Sequence, residues 1–288
     1  MSKTSEKPTI FVTRRWPDAA EEALKQYFTP TFNEQDVPLT AAQIAAGFAS
    51  HDALAPTVSD QITADIIAAG AAGSGRLIAN FGVGVNHIDL SAAASAGLAV
   101  SNTPGVLTDA TADLALTLML MVSRRAGEGE RELRAGKWHG WRPTHLMGRS
   151  LSGKTLGIIG MGRIGKAVAH RAALGFGMKI IFFNRSKVTD ITDYDAKQID
   201  DLDALCTQSD FLSLHCAASA DTFHILNEYR LQRMPAHAYV INTARGDVID
   251  EAALVRALHN GSIGGAGLDV FQGEPDIHPD ILTAPNTV

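Results

Sequence analysis

At 288 residues the chain is long for one domain and comfortable for two. It is 45% hydrophobic and 19% charged, the balance of a soluble globular protein, and with only 6% aromatic residues its core must be mostly Ala, Leu, Ile and Val. The formal net charge of −6 argues against nucleic acid or an anionic membrane as partner, and Cys206 and Cys216, with no CxxC pair, suggest neither a disulfide framework nor a metal site.

The opening MSKTSEKPTI is too polar for a secretory signal, so with two reduced cysteines a cytoplasmic location is expected. TIFVTR (9–14) reads as a first strand and DAAEEALKQYF (18–28) as a helix that Asp18 can cap. LTAAQIAAGF (39–48) is a second helix with Thr40 as its cap, DALAPT (52–57) a short strand, and SDQITADIIAAG (59–70) a third helix. RLIANFG (76–82) and GLAVSNT (97–103) are further strands. One long helix is predicted from Asp109 to Arg134, apolar in its first half and charged in its second, a pattern suited to an interdomain or dimer interface. Its most apolar run, LALTLMLMV (114–122), is far too short to span a bilayer. An irregular segment with two tryptophans follows (135–154), and then strands resume at 155–160, 179–184, 211–216, 238–243 and 265–270. Strand and helix alternating in this way imply a parallel α/β sheet.

The stretch GIIGMGRIG (157–165) is an apolar strand, then Gly160-x-Gly162-x-x-Gly165, then a helix. The first glycine permits a tight turn, the second lets backbone approach a pyrophosphate, and the third lets the helix pack on the strand, whose N-terminal N–H groups then face the phosphates. Gly160, Met161, Gly162, Arg163, Ile164 and Gly165 are therefore assigned to a dinucleotide. The next strand, KIIFF, ends in Asn184, Arg185, Ser186 and Lys187. Asp or Glu at this place would hold a ribose 2′-hydroxyl. Asn184 carries no charge to repel a 2′-phosphate, and Arg185 and Lys187 supply positive charge beside the Ser186 hydroxyl. NADP(H) is favoured, with NAD(H) as the alternative.

NFGVGVNHIDL (80–90), SNTPGVLTDATAD (101–113), GKTLGIIGMGRIG (153–165), INTARGDVIDE (241–251) and GLDVFQGEP (267–275) together resemble the D-2-hydroxyacid dehydrogenases. KWHGWRPTHLMG (137–148) with the NRSK turn is most similar to the glyoxylate/hydroxypyruvate reductase branch. The resemblance implies two Rossmann-like domains with parallel sheets and a cleft between them: residues 1–101 as a flavodoxin-like substrate domain and residues 102–288 as the NAD(P) domain. It implies hydride transfer to a small 2-keto acid, here glyoxylate or hydroxypyruvate, by a homodimer. Another D-2-hydroxyacid as substrate, or a non-catalytic NAD(P)-binding regulator, are the alternatives.

The resemblance also assigns roles. Arg245 matches the catalytic arginine, and a planar guanidinium suits the adjacent oxygens of a 2-keto acid. The backbone of Val83 and Gly84 matches the loop that binds the substrate carboxylate. Glu274 matches the glutamate paired with the catalytic histidine. Asp269, Thr243, Ala244, His215 and Cys216 fall among the cofactor contacts, and Trp138 and Trp141 are candidates to close the substrate pocket. The family's catalytic histidine follows a P-N-x-x turn, which sets it just past Val288, with neither His87 nor His278 matching it; a chain ending at Val288 is expected to be impaired or unstable.

Overall fold

The computed structural model describes residues 7–288; residues 1–6 of the polar opening stretch lie outside the described residues. The chain divides into two compact units, Met1–Val106 and Leu107–Val288.

The first unit alternates strand and helix: β1 (Thr9–Val12), α1 (Asp18–Tyr27), β2 (Thr29–Phe32), α2 (Ala41–Ser50), β3 (Ala53–Ala55), α3 (Ala64–Ala72), β4 (Leu77–Ala79), α4 (Leu90–Ser95) and β5 (Ala99–Ser101). All its strand pairs are parallel, in the flavodoxin-like order β2-β1-β3-β4-β5. Both faces are covered. Phe48, Ile66, Ile67 and Leu54 fill one side, and Ile10, Val12, Ala53 and Ala55 pack with Trp16, Leu24 and Phe28 on the other. Phe48 is fully buried, which contributes about 2–3 kcal/mol.

Local details differ from the sequence reading. Asp18 is the first helical residue and does not cap α1. The Pro17 carbonyl accepts Ala20 N–H at 2.7 Å, and the Glu21 carboxylate reaches back to Trp16 N–H at 2.9 Å. Thr40 does cap α2, in a reciprocal pair with Gln43. Helix α3 starts at Ala64 rather than Ser59, because Asp60 is drawn into a turn by Thr57 N–H (2.8 Å) and Thr13 Oγ1 (2.5 Å), and Ile62 bridges to Ile88. Two elements have no counterpart in the sequence pattern: β2, an edge strand holding Pro30, and α4, only six residues long and capped by Asp89. The loop after β5 stays with the first unit, since Thr103 N–H donates to Gly82 and Asn102 Nδ2 to Val83.

The second unit contains α5 (Thr108–Ser123), α6 (Ala126–Arg134), β6 (Thr155–Ile159), α7 (Arg163–Phe176), β7 (Lys179–Phe183), β8 (Ala196–Gln198), α8 (Leu202–Gln208), β9 (Phe211–Leu214), α9 (Glu228–Arg233), β10 (Tyr239–Asn242), α10 (Glu251–His259) and β11 (Gly265–Leu268). Its sheet is also parallel throughout, in the order β11-β10-β9-β6-β7-β8. β8 is a further strand absent from the sequence reading, three residues at the edge. The single long helix predicted over 109–134 is two. Arg125 takes a left-handed φ of 53°, and Arg149 N–H captures the Ser123 carbonyl at 2.8 Å, so the helix ladder stops there. The Arg125 guanidinium then clasps Glu128 with two bonds of 2.7 Å at the start of α6. Ala112, Ala115, Met119 and Val122 of α5 are buried in this unit's own core, against α7, β10 and β11. Thr287 bridges to Ala266, and Val288 exchanges hydrogen bonds with Ala266 and Leu268, so the last residues extend along β11.

Chain direction changes sides at β6: β7 and β8 lie to one side, β9, β10 and β11 to the other. In open parallel sheets the crevice outside the strand carboxyl ends at such a switch point is where ligands bind.

Candidate functional site

In the second unit nearly every residue singled out from sequence follows a strand's carboxyl end: Gly160 after β6, Asn184 after β7, His215 after β9, Thr243 after β10 and Asp269 after β11. Parallel pairing of neighbouring strands brings these five positions to one edge of the sheet.

Gly160 adopts a φ of 96°, and a Cβ there would lie 2.7 Å from Cys216 N and 2.8 Å from the His215 carbonyl oxygen. A Cβ on Gly165 would lie 2.2 Å from the Gly160 oxygen, so α7 starts in direct contact with the turn. Gly162 is different: it occupies the N-cap of α7, no side chain caps the helix, and nothing lies within 4 Å of where its Cβ would be. The first N–H groups of α7, from Arg163 and Ile164 onward, are thus left to whatever occupies that open space. Met161 buries its side chain in the core, while its N–H donates to Asn184 Oδ1 at 3.1 Å.

Asn184 Nδ2 donates to Ser186 O (2.9 Å) and Oγ (3.2 Å), so its amide links the glycine turn to the turn after β7. Arg185, Ser186 and Lys187 are all exposed. Gln198, at the end of β8, binds the same turn and had no signal in the sequence.

On the other side of the switch point, His215 Nε2 lies 2.8 Å from Ser213 Oγ, whereas its Nδ1 is buried without a partner among the described residues. Burial pushes the His215 imidazolium down to about 4, so the ring is neutral near pH 7. Burial also pushes the Cys216 thiol up to about 11, leaving it unreactive. Thr243 Oγ1 is likewise buried and unpartnered. These two atoms lie at the carboxyl ends of neighbouring strands β9 and β10, where a ligand in the crevice could partner them.

The fully buried Asn242 shapes the arginine loop. Its Oδ1 accepts Ala244 N–H at 3.0 Å and its Nδ2 donates to the Arg245 carbonyl at 2.8 Å. Gly246 is pressed on the backbone of Phe271 and Gln272, and the buried Glu251 carboxylate accepts Gln272 N–H. These contacts lock the Arg245 loop to the segment that carries Glu274. The Glu274 carboxyl lies above its ordinary range: desolvation raises it, Asp269 and Asp247 raise it further, and the Arg245 guanidinium opposes them. Arg245, Asp269 and Glu274 therefore share one electrostatic neighbourhood. Trp138 and Trp141 are 52% and 83% exposed on the irregular segment.

In the first unit, three successive carbonyls are held by asparagine amides. Asn80 Nδ2 donates to Gly82 (3.1 Å) and Gly84 (3.0 Å), and Asn102 Nδ2 donates to Val83 at 2.8 Å. Buried His87 holds Asn80 in turn, with Nε2 2.9 Å from Oδ1. The N–H groups of Val83 and Gly84 make no hydrogen bond among the described residues. A peptide loop with its carbonyls tied back and its amides bare suits an anion such as a carboxylate. The sequence pointed to Val83 and Gly84 but not to the two asparagines that set their geometry.

The open N-terminus of α7, the close Gly160–Gly165 contact and the unpartnered His215 and Thr243 atoms fit a nicotinamide dinucleotide. Residues 116–288 match the family model for the D-isomer specific 2-hydroxyacid dehydrogenase, NAD binding domain. The chain belongs to that family. A glyoxylate reductase of Thermococcus litoralis is 38% identical over 286 residues, 98% of this chain and 86% of the relative. One from Korarchaeum cryptofilum is 40% identical over 275 residues, 95% of this chain and 82% of the relative. Among solved dehydrogenase structures, an NADPH-dependent glyoxylate/hydroxypyruvate reductase of Sinorhizobium meliloti, in complex with NADP and malonate, aligns with a TM-score of 0.86 at 33% identity, covering 98% of this chain and 85% of that one.

Proposed function

We propose that this dehydrogenase reduces small 2-keto acids, glyoxylate to glycolate and hydroxypyruvate to D-glycerate, with NADPH preferred over NADH. The single observation that carries the cofactor reading is the turn after β7: an amide at 184 in place of a carboxylate, flanked by the exposed cations Arg185 and Lys187. The relatives' names support the substrate class.

When bound, the nicotinamide supplies the hydride. The remaining work falls to the chain. The bare N–H groups of α7 and Gly162 hold the pyrophosphate; Asn184, Arg185, Ser186 and Lys187 hold the adenosine 2′-phosphate. His215, Cys216, Thr243, Ala244 and Asp269 line the nicotinamide side. Arg245 holds the oxygens of the keto acid and draws electron density from its carbonyl. Val83 and Gly84 bind its carboxylate through backbone N–H groups. Glu274, raised above the ordinary carboxylate range and with Arg245 nearby, is assigned to orient the proton-donating imidazole that the family resemblance implies. In this reading the first unit is the substrate domain and the second the cofactor domain. The exposed Leu133, Trp138, Trp141 and Met147 support a homodimer, and the free thiols a reducing, cytoplasmic setting.

Steady-state NADPH oxidation with a panel of 2-keto acids tests the proposal. Oxidation of NADPH faster than NADH, with glyoxylate and hydroxypyruvate preferred over bulkier keto acids even at a low absolute rate, is the expected result. A preference for bulky keto acids, or clean cofactor binding with no turnover on any of them, overturns it.

A further inference from the structure

Gln198 closes strand β8 and is paired in register with Phe182 of β7. Beyond that pair the two strands separate, and the Gln198 side chain takes over from the backbone ladder. Its Oε1 accepts the Val188 N–H at 3.1 Å, and its Nε2 donates to the carbonyls of Asn184 at 3.3 Å and Ser186 at 3.2 Å. All three bonds fall on the five-residue turn that carries Arg185 and Lys187. The Ser186 carbonyl is held twice, since Asn184 Nδ2 also donates to it at 2.9 Å.

The consequence is electrostatic. Carbonyl oxygens repel a phosphate, and N–H groups attract one. Two carbonyls of this turn are engaged by the Gln198 amide. Those side chains are available. Arg185 and Lys187 are exposed, and neither takes part in an ion pair among the described residues. The nearest acid in sequence, Asp190, is bound by Lys166.

We propose that Gln198 is the positioning residue for 2′-phosphate selectivity: its amide holds the Asn184–Val188 turn so that Arg185 and Lys187 flank a phosphomonoester while two of the turn's carbonyls stay engaged. The inference rests on the NADPH reading above and names a residue of β8 that contacts the cofactor only through this turn. A bland alternative exists, in which Gln198 merely staples an edge strand, and the two differ in what they discriminate. A staple affects every ligand of the cradle alike. A selectivity residue affects only ligands that carry the 2′-phosphate.

Calorimetric titration of the full chain with 2′,5′-ADP and with 5′-AMP separates them, using Gln198→Met, which keeps length and loses all three bonds, and Gln198→Glu, which keeps the acceptor and adds a negative charge. Because β8 is a three-residue edge strand, neither change touches the core, and a thermal melt checks that both variants are folded. The expected result is about a tenfold weaker 2′,5′-ADP affinity in Gln198→Met, more in Gln198→Glu, with 5′-AMP affinity changed by less than about twofold. If wild type binds 2′,5′-ADP clearly tighter than 5′-AMP but both ligands weaken together in the variants, or neither weakens, Gln198 is a staple and this inference alone fails. If wild type shows no preference for 2′,5′-ADP, the NADPH reading fails and the inference with it.

Discussion

The side-chain oxygen of Asn184 accepts the backbone N–H of Met161 at 3.1 Å, so the residue that ends β7 also shapes the glycine turn after β6. An aspartate at this position keeps that acceptor, loses the donation to Ser186, and sets a carboxylate beside the place of a 2′-phosphate. Asn184→Asp is therefore expected to fold normally and to shift the kcat/KM ratio of NADPH to NADH by about tenfold or more toward NADH, the scale of about 1.4 kcal/mol for one charge contact. Parallel kinetics with both cofactors read this directly. A ratio that does not move would show that the turn does not contact the adenosine ribose.

Gly162 and Gly165 belong to one motif yet have different reasons to be glycine. A methyl on Gly165 meets the Gly160 carbonyl at 2.2 Å, and since that neighbour is backbone it cannot swing aside, so Gly165→Ala must push α7 from β6. It is expected to cost about 1–3 kcal/mol and to lower Tm by several degrees. A methyl on Gly162 meets nothing, and the φ of −80° there is ordinary for alanine. Gly162→Ala should melt like wild type yet bind NADPH at least about tenfold more weakly, because the methyl enters the space the pyrophosphate needs. Thermal melts and cofactor titrations on the two variants should separate in this way; equal effects on stability would contradict the account.

Asn80 and Asn102 illustrate what the sequence could and could not reveal. The glycine cradle was legible because its spacing, its strand and its helix are contiguous. Parallel strands were legible from the alternation of strand and helix patterns, whereas Arg245 and Glu274 stand out only through the family resemblance of the stretches that hold them. The asparagine clamps were not, since Asn102 meets Val83 across 19 positions and only the pairing of β4 with β5 brings them together. Gln198 is hidden for the same reason, in a polar strand of three residues with no alternation to detect. The helix break at Arg125 escaped because an arginine in a left-handed conformation has no local signature; its cause is the distant Arg149, which takes the Ser123 carbonyl.

If the Asn80 amide holds the Val83–Gly84 amides ready for a carboxylate, removing it should affect the keto acid and not the dinucleotide. Asn80→Ala frees the Gly84 carbonyl, leaves the Gly82 carbonyl with Thr103 N–H as its donor, and removes the Oδ1 that buried His87 contacts. The expected result is a rise of about tenfold in KM for glyoxylate, a Kd for NADPH within about twofold of wild type, and a stability loss of about 1–3 kcal/mol from the lost hydrogen bonds. Asn102→Ala, which frees only the Val83 carbonyl, should give a smaller KM effect. A change in NADPH affinity as large as the change in KM would argue that the loop acts through the fold as a whole.

His215 gives the acid side of the stability profile. Its pKa is pushed from 6.5 to about 4 by burial, so the folded chain holds the neutral ring where the unfolded chain would take a proton. With the folded value depressed, stability from this group is complete above about pH 6.5 and falls as pH drops toward 4. Below that the folded state is protonated too and the loss levels off. A shift of this size corresponds to at most roughly 3 kcal/mol. His215→Asn, which cannot take the proton, should lose that part of the slope: urea midpoints of wild type and variant should draw together as pH falls from 7 to 4. Carboxylates paired in the fold, such as Glu21 and Asp36, add their own acid sensitivity to both proteins and cancel in the difference. Midpoints that stay a constant distance apart over that range would mean that the imidazole is protonated alike in both states, and that its unpartnered Nδ1 is open to solvent rather than kept for the cofactor.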